Sequence, residues 1–372
     1  MKSQAVLLRA TGAPLPYEGT DALTLVEIDV APPQTGEVLV RIEAAGVCHS
    51  DLSVLNGSRP RPLPLILGHE SSGVVEEVGA GVKGLKAGDH VTSIFLPCCG
   101  DCPACNSGVP AHCSVAAAAN IRGELIGGGS RISLNGEPIK HYNGVSCYSQ
   151  YMILDQRSLV KIPDELPLDI AALFGCALLT GFGAVKNSAQ AKEGESLGVW
   201  GLGGVGLSAL IGAVIAKASP IIAIDPMPDK RSLALELGAD FAIHPDENVR
   251  DYIPAGVMVA IEAVGKASAL KSAYESTARG GTTVTVGLPP SSEDLTFSAV
   301  SLVTEVKTIK GSYLGSADPH IDIPEYLSLW QAGKLPIEKL LTATRPMSEV
   351  NKAMDLLHSA KVIRQVLHPH SY

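Results

Sequence analysis

The chain lacks an excess of positive charge. Its 372 residues include 29 Lys and Arg against 38 Asp and Glu, which gives a formal net charge of −9 at pH 7. A surface of this sign repels the phosphates of nucleic acids and the headgroups of anionic membranes. We therefore expect neither nucleic acid nor a membrane among its partners.

Hydrophobic targeting segments are missing as well. We find no apolar run of the roughly 18 residues that a membrane span requires. The first residues, MKSQAVLLRATGAPLPYEG, reach Arg9 and a Gly/Pro turn too early for a signal peptide. Internal repeats and low-complexity tracts are also lacking. These features predict a globular protein of the cytoplasm, in which the eight cysteines stay reduced.

The length exceeds what one hydrophobic core usually supports, so we expect two domains. Up to about residue 180, short strands alternate with Gly and Pro, as at 37–47, 72–79 and 89–95. From Ser196, strand-like and helix-like segments alternate, which is typical of a parallel sheet with helices on both faces. From about Leu314, two amphipathic helices and a final strand follow. The sequence therefore predicts an α/β domain combined with an irregular β-rich domain.

Four cysteines share one short stretch with the frame C-x2-C-x2-C-x7-C: Cys99, Cys102, Cys105 and Cys113. Thiolates at this spacing can converge on one tetrahedral ion, usually zinc. A disulfide knot is the alternative, which suits a secreted protein better. Four sulfur ligands leave no open position, so this zinc would be structural. The extra thiol of Cys98 could replace Cys99, but the spacing favours Cys99.

A G-x-G-x-x-G motif lies between an apolar strand and an apolar helix, at Gly201, Gly203 and Gly206. In that context the glycines let the backbone approach a pyrophosphate at the helix N-terminus. Asp225 ends the next strand, where a carboxylate can bind both ribose hydroxyls and repel a 2′-phosphate. We therefore predict NAD rather than NADP as the coenzyme, a preference that Lys230 would weaken.

The remaining candidates acquire roles through a family resemblance. GVCHSD (46–51), GHE (68–70), the four-cysteine frame, FGC (174–176), the glycine motif and Asp225 follow one another along the chain. In this order and spacing the chain resembles the zinc-dependent medium-chain alcohol dehydrogenases over nearly its whole length. The long segment between Cys113 and Tyr151 is similar to the liver and class III branch of that family.

The resemblance implies a domain organisation. A doubly wound Rossmann domain that binds NAD, residues 179–313, would be inserted in a β-rich, GroES-like catalytic domain. That domain would comprise residues 1–178, with both zinc sites, and a C-terminal return at 314–372. The resemblance also implies two zinc ions per chain and a cytoplasmic homodimer, with a tetramer as the alternative.

By the same resemblance, Cys48, His69 and Cys176 are the ligands of a catalytic zinc with an open fourth position. Such an ion acts as a Lewis acid that lowers the pKa of a bound alcohol, and the zinc alkoxide transfers a hydride to the nicotinamide. Asp51 would accept a hydrogen bond from His69, and Ser50 would bind the substrate oxygen and begin the proton path. Glu70 would lie behind the metal; a plain carboxylate at the start of a strand is the alternative.

Other positions match coenzyme or substrate contacts of the family. Thr180 and Val205 would press on the nicotinamide, and His49 and Arg364 would lie near the pyrophosphate. Phe95 would form a wall of the substrate pocket. Cys147 has no counterpart that gives it a role, and we expect a plain buried residue.

Two departures from the family bear on the reaction. Ser53 stands where the liver enzymes have a histidine that ends the proton path, so either His49 or the ribose with water would carry the proton. Class III enzymes hold the glutathione carboxylate with a cation shortly after the fourth structural cysteine, whereas here no charge precedes Arg122. With Ser50 and Phe95 beside the zinc, we expect bulky primary alcohols, aromatic or allylic, and their aldehydes as substrates.

Two other functions stay open at this point. One is a glutathione-dependent formaldehyde dehydrogenase, which acts on S-(hydroxymethyl)glutathione. The other is a catalytically silent protein that binds NAD and zinc. The complete set of Cys48, His69 and Cys176 argues against the silent protein, because such a protein should have lost a ligand.

Overall fold

The computed structural model describes residues 1–371, which form two compact units. Unit 1 comprises Met1–Cys176, Asp318–Leu327 and the described residues from Glu338 onward. Unit 2 comprises Ala177–Ala317 and Ser328–Ile337. The expected C-terminal return at 314–372 differs from this division at residues 314–317 and Ser328–Ile337, which belong to unit 2; the second range includes the last four residues of the helix Pro319–Gln331. Which unit performs catalysis and which binds the coenzyme stays a prediction.

The strands in chain order are β1 Lys2–Leu8, β2 Thr24–Val30, β3 Glu37–Val47, β4 Leu65–Ile66, β5 Ser71–Val78, β6 His90–Ser93, β7 Ile132–Leu134, β8 Glu137–Pro138, β9 Lys140–His141, β10 Tyr151–Asp155, β11 Leu159–Lys161, β12 Leu197–Trp200, β13 Ile221–Ile224, β14 Phe241–Ile243, β15 Val257–Glu262, β16 Thr277–Thr285, β17 Thr308–Gly311, β18 Leu341–Pro346 and β19 Arg364–His368.

The α-helices are α1 His49–Leu55, α2 Pro103–Asn106, α3 Ser114–Arg122, α4 Leu168–Ala171, α5 Leu179–Gly183, α6 Gly204–Ile215, α7 Pro228–Glu236, α8 Val249–Tyr252, α9 Ala267–Ser276, α10 Ala299–Thr304, α11 Pro319–Gln331 and α12 Val350–His358. Short 3-10 or π-helical turns occupy Pro110–His112, Gln156–Ser158, Phe174–Leu178, Ala184–Ala189, Leu314–Ser316, Ile337–Leu340 and Met347–Glu349.

Unit 1 contains two mainly antiparallel sheets. The first has the order β8-β7-β2-β1-β4-β9, and the second has the order β11-β6-β5-β3-β19-β18, with β10 also paired to β3. The strand β3 lies inside the second sheet, and nine of its eleven residues are buried. Eight of the eleven residues of its sequence, EVLVRIEAAGV, are apolar, which suits a strand that is largely covered on both faces. The first candidate ligand, Cys48, directly follows this strand.

Unit 2 contains one sheet of six parallel strands in the order β14-β13-β12-β15-β16-β17. Numbered along the chain within the unit, the order is 3-2-1-4-5-6, which is that of a doubly wound Rossmann sheet. The strands β12 and β13 are buried throughout, because LGVW and IIAI carry no charged side chain. The predicted α/β fold with a Rossmann domain and a β-rich domain is confirmed.

One expectation about hydrophobic runs is wrong. Leu168–Ala189 forms a helical run of 22 residues that is long and apolar enough to cross a membrane by length and composition. Small and polar residues such as Gly175 and Thr180 divide this run in the sequence, which conceals its length. In the fold, 89% of its most apolar stretch of 18 residues is buried, so its apolar side chains pack in the protein interior.

Gly206 lies in the first turn of α6, directly below the turn that follows β12. A Cβ at this position would overlap the carbonyl oxygen of Gly201, and no side-chain movement can relieve a clash with backbone. We therefore expect Gly206→Ala to lower the free energy of unfolding by about 1–3 kcal/mol, the usual range for overpacking. Urea or thermal unfolding measures this change.

The matched control is Gly203→Ala in the same motif. Gly203 has φ −76°, and no described atom lies within 4 Å of its Cβ position. Because Gly203 caps the N-terminus of α6, where alanine is less favourable than glycine, we expect a small loss of stability that is clearly below that of Gly206→Ala. Equal losses of stability in the two variants would contradict the close approach at Gly206.

Candidate active site and metal centres

Strand pairing in unit 1 brings two parts of the chain to one place. Cys48 directly follows β3, and β5 pairs with β3 so that Ala45 lies opposite Ser71. His69 and Glu70 immediately precede β5, and the backbone N–H of Gly46 donates to the Glu70 carbonyl oxygen at 2.7 Å. The two segments that carry Cys48 and His69 are therefore held by backbone hydrogen bonds.

Cys176 reaches the same place through its neighbour Gly175. A Cβ on Gly175 would overlap the carbonyl oxygen of Ser93, so only glycine allows this backbone approach. Ser93 ends β6, which pairs with β5. The FGC motif thus has a physical reason, because its glycine lets the following cysteine lie next to His69.

Cys48, His69 and Cys176, which we call the three-ligand site, fit a zinc ion. Together with a Glu70 oxygen, their ligand atoms lie within 4.8 Å of one another, and all four residues are buried. The Cys176 Sγ and His69 Nε2 are 3.6 Å apart. Tetrahedral zinc with its usual bond lengths requires about 3.6 Å between such sulfur and nitrogen atoms. These two donors are therefore already at the spacing that zinc requires.

Asp51 orients the imidazole of His69. The Nδ1 of His69 lies 3.3 and 3.2 Å from the two carboxylate oxygens of Asp51. Asp51 is itself fixed, because it accepts hydrogen bonds from the backbone N–H groups of Gly68 at 2.9 Å and Cys48 at 3.3 Å. Burial disfavours a charged imidazole, but the charge and hydrogen bond of Asp51 raise the pKa of His69 well above its usual range. With its proton on Nδ1, His69 presents Nε2 to the metal position.

The two thiols of the site act as a coupled pair. A hydrogen bond from Cys176 lowers the pKa of Cys48 well below its usual range, and Arg364 and His69 act in the same direction against burial. The same bond, together with burial, raises the pKa of Cys176. Cys176 would therefore have to lose its proton for both sulfurs to bind a zinc ion.

Arg364, which the resemblance places near the pyrophosphate, lies beside the three-ligand site. It begins β19, which pairs with β3 so that Gln365 lies opposite Val47. Its Nη2 is 3.1 Å from Glu70 Oε1, although neither Glu70 oxygen accepts a hydrogen bond from any described residue. Burial raises the pKa of Glu70 to about 7, and the charge of Arg364 opposes that shift. Arg364 thus balances the negative charge of Glu70 and the thiolates; its contact with a pyrophosphate stays a prediction.

Two aromatic rings flank His69. Phe95 and Tyr142 each meet the imidazole edge-on, with centroid distances of 5.4 Å and interplanar angles of 87°. The Asn120 side chain of α3 donates to the Phe95 carbonyl oxygen at 2.8 Å and fixes the backbone that carries this ring. Phe95 therefore lies beside the three-ligand site, and its role as a wall of the substrate pocket stays a prediction. Nothing in the sequence indicated Tyr142. The four residues H-Y-N-G around Tyr142 belong to no motif, so only the fold could reveal its position.

The helix α1 carries the predicted relay residues. Cys48 caps its N-terminus, and His49, Ser50, Asp51 and Ser53 follow in its first turns. The Ser50 carbonyl oxygen accepts a hydrogen bond from the Tyr142 hydroxyl at 3.1 Å. His49 is exposed, and Ser50 is half-buried. The catalytic roles of these residues stay predictions.

The predicted coenzyme residues of the Rossmann domain lie in unit 2. Thr180 is in α5, Val205 is in α6 and Lys230 is in the first turn of α7. Asp225 directly follows β13; its Oδ2 accepts from the backbone N–H of Leu202 at 2.8 Å, and its Oδ1 accepts from that of Met227 at 2.8 Å. Leu202 is part of the glycine motif, so the structure brings the carboxylate and the motif together at the carboxyl end of the sheet.

The second metal centre is the four-cysteine site, Cys99, Cys102, Cys105 and Cys113, whose sulfurs all lie within 4.8 Å of one another. The Cys105 Sγ is 3.9 Å from that of Cys99 and 3.5 Å from that of Cys102. Sulfurs around tetrahedral zinc lie about 3.8 Å apart, so these positions fit. Backbone N–H groups of Cys99 and Cys102 approach sulfurs of the site at 3.4 and 3.3 Å. Such bonds stabilise thiolates; the N–H of Cys105 is the main cause that lowers the pKa of Cys102 to about 6.

The two other cysteines lie outside both donor sets. Cys98 is half-buried next to the four-cysteine site, and the converging set contains Cys99 instead, as the spacing favours. Cys147 is buried, as expected, and its Sγ lies 3.2 Å from the carbonyl oxygen of Glu70. That contact supports the backbone that follows His69.

Two family models match separate parts of the chain. The alcohol dehydrogenase GroES-like domain matches residues 34–164, and the zinc-binding dehydrogenase domain matches residues 204–332. Together they cover more than half of the chain.

Complete proteins match over almost the whole length. An S-(hydroxymethyl)glutathione dehydrogenase from Photobacterium damsela subsp. piscicida is 38% identical over 377 residues, 99% of this chain and 100% of that protein. Two crystal structures each match with a TM-score of 0.92 and cover 99% of both chains. One is an alcohol dehydrogenase zinc-binding domain protein from Burkholderia ambifaria, at 35% identity, and the other is benzyl alcohol dehydrogenase from Acinetobacter calcoaceticus, at 31%. With these matches and its two zinc donor sets, the chain belongs to the family of NAD-dependent, zinc-containing medium-chain alcohol dehydrogenases and is an oxidoreductase.

Proposed function

We propose that the chain interconverts bulky primary alcohols, aromatic or allylic, and their aldehydes. The observation that carries this proposal is the pair of rings beside the three-ligand site, Phe95 and Tyr142, which both meet His69 edge-on. Both rings are buried, and such an apolar, aromatic setting beside the metal position favours flat, apolar substrates. The 31% identity to a benzyl alcohol dehydrogenase supports the same substrate class.

When bound, the cofactors supply what side chains lack, namely a Lewis acid in zinc and a hydride acceptor in NAD. The residues of the chain hold these parts in place and move the proton. Asp51 retains the Nδ1 proton of His69, which leaves Nε2 as a ligand atom. Cys48 and Cys176 contribute two sulfurs. Ser50, two residues after Cys48, accepts the proton of the substrate hydroxyl at its Oγ.

The onward path of this proton involves the exposed side of α1. Ser53 follows Ser50 by three residues, so both hydroxyls lie on one face of the helix. A serine hydroxyl can relay a proton but is too weak a base to retain it at neutral pH. We propose that His49, exposed at the start of the helix, or the coenzyme ribose with water, receives the proton.

Oxidation of S-(hydroxymethyl)glutathione is the second candidate function, because the relative from Photobacterium damsela has that name. The surface of α3 argues against it. This helix, Ser114–Arg122, has no charged side chain before Arg122, and Arg122 Nε donates to Glu124 Oε2 at 2.8 Å. A glutathione carboxylate would therefore find its one cation on this helix already paired.

A substrate panel separates the two candidates. NADH absorbance is followed with benzyl alcohol, cinnamyl alcohol, ethanol and the adduct formed from formaldehyde and glutathione. We expect kcat/KM for the two aryl alcohols to exceed that for the adduct at least about tenfold, which corresponds to about 1.4 kcal/mol of transition-state binding. Faster turnover of the adduct would assign the chain to the glutathione-dependent function. No turnover with any alcohol would indicate a silent protein.

Two variants should distinguish the roles of the two metal centres. We expect Cys48→Ala to abolish turnover and to reduce the zinc content from two ions to one, while the thermal midpoint changes little. We expect Cys105→Ala to lower the midpoint strongly, because structural zinc contributes on the order of 10 kcal/mol in small zinc-binding peptides. Metal analysis and differential scanning calorimetry measure both effects. Global unfolding of Cys48→Ala would contradict the assigned division of roles.

Asp225 should select NAD through its negative charge. In Asp225→Ser the repulsion of a 2′-phosphate is lost, and we expect the ratio of kcat/KM for NADP to that for NAD to rise about tenfold or more, where tenfold equals about 1.4 kcal/mol. Asp225→Asn keeps an acceptor for the Leu202 N–H and removes the charge, so it should show the same shift. Asp225→Glu keeps the charge and should not. An unchanged ratio of kcat/KM for NADP to that for NAD in the first two variants would show that Asp225 does not select the coenzyme through its ribose.

A further inference from the structure

Tyr142 contacts two of the three segments that carry ligands of the three-ligand site, those of His69 and Cys48. Its ring meets the His69 imidazole edge-on at 5.4 Å, and its hydroxyl donates to the Ser50 carbonyl oxygen at 3.1 Å. Ser50 lies two residues after Cys48, in the first turn of α1. One side chain therefore links the imidazole ligand to the helix that carries the predicted relay hydroxyl.

Tyr142 is firmly held on the side of His69. Its backbone N–H donates to Ser146 Oγ at 2.7 Å, and Ser146 Oγ donates to the Ile66 carbonyl oxygen at 2.9 Å. Ile66 ends β4, three residues before His69. The tight turn is closed by the Val145 N–H, which donates to the Tyr142 carbonyl oxygen at 3.0 Å, and the tyrosine is only 2% exposed. The phenol hydroxyl consequently has a fixed position relative to the imidazole.

The relay helix, in contrast, is short. α1 has seven residues, and its ends are less constrained than the interior of a long helix. Asp51 fixes one side of its first turn through the Cys48 N–H. Ser50 itself is half-buried, so packing alone does not immobilise it. A hydrogen bond to the Ser50 carbonyl oxygen limits rotation of this turn and hence the direction of Ser50 Oγ.

We propose that Tyr142 is a positioning residue that sets the distance and direction of Ser50 Oγ relative to the metal ligand His69. The proposal rests on the function proposed above, in which Ser50 accepts the substrate proton. Proton transfer depends steeply on the separation and alignment of donor and acceptor. Loss of the phenol hydroxyl should therefore slow the chemical step without removing a ligand or a wall of the pocket.

The chain offers a matched control in Tyr148. This residue is also fully buried, and its hydroxyl donates to the carbonyl oxygen of Gly46 at 3.3 Å. Tyr142 thus bonds the carbonyl two residues after Cys48, and Tyr148 bonds the one two residues before it. The substitutions Tyr142→Phe and Tyr148→Phe each remove one buried hydroxyl near the same ligand, but only the first touches Ser50.

The test uses the zinc-loaded enzyme, NAD and benzyl alcohol with and without deuterium at the reacting carbon. Single-turnover formation of NADH isolates hydride transfer from product release. We expect Tyr142→Phe to slow this step about fivefold, as the loss of one ordinary hydrogen bond would. The deuterium isotope effect should be retained, the zinc content should stay at two ions, and KM should change less than twofold. Tyr148→Phe should lose similar thermal stability but stay within twofold of the wild-type rate.

A double-mutant cycle with Ser50→Ala tests whether the effect acts through Ser50. Adding Tyr142→Phe to Ser50→Ala should cause no further loss of rate, because no hydroxyl remains to be positioned. Additive losses would overturn the inference, as would equal slowing by both tyrosine variants or a wild-type rate in Tyr142→Phe. Failure of the wild-type chain to oxidise any alcohol would overturn the proposed function and this inference with it, whereas the other outcomes leave the proposed function standing.

Discussion

Antiparallel pairing of β3 with β5 on one side and β19 on the other is the constraint on which the candidate active site depends. It aligns the end of β3 with the start of both neighbours, at Ala45 opposite Ser71 and Val47 opposite Gln365. Cys48, His69, Glu70 and Arg364 all lie within two residues of these pairs. Since a shift of register by one residue reverses the face of every side chain, the ligand set is fixed as firmly as the sheet. The backbone therefore preorganises the ligands before any ion is bound.

Burial makes the balance of charge at this site equally important. Two thiols, an imidazole, a carboxyl group and a guanidinium are packed together with little exposure to water. An isolated charge in such surroundings would be costly, so each charged group needs a partner or must become neutral. Arg364 compensates Glu70 and the thiolates, while Asp51 compensates His69. These pairings explain how two cysteines can supply negative sulfurs in the protein interior.

The four-cysteine site is connected to the three-ligand site through α3. Cys113, its last member, caps the N-terminus of α3, and its Sγ accepts from the Ala116 N–H at 3.5 Å. Near the end of the same helix, Asn120 holds the backbone of Phe95, whose ring meets His69. A zinc ion that orders the four-cysteine site would thus also fix Phe95 beside His69, and its four sulfur ligands would leave no open position for a substrate.

The sequence was most informative where a short motif has one physical use. The cysteine frame and the glycine motif followed by Asp225 each predicted a local structure that the fold contains, and the family resemblance is confirmed. The role proposed for Tyr142 could not be predicted from the sequence, because it depends on a hydrogen bond from its hydroxyl to a backbone carbonyl 92 residues away. The position of Arg364 beside Cys48 was also not predicted, because sequence order does not reveal that β19 pairs with the end of β3. The cytoplasmic location and the homodimer stay predictions.

Anomalous diffraction at the zinc absorption edge, from crystals of the purified chain, tests the central claim most directly. The account predicts two peaks per chain. One should lie about 2.0–2.3 Å from Cys48 Sγ, His69 Nε2 and Cys176 Sγ, the usual zinc–ligand distances, and the other at the centre of the four-cysteine site. A single peak at the four-cysteine site, with none at the three-ligand site, would contradict it.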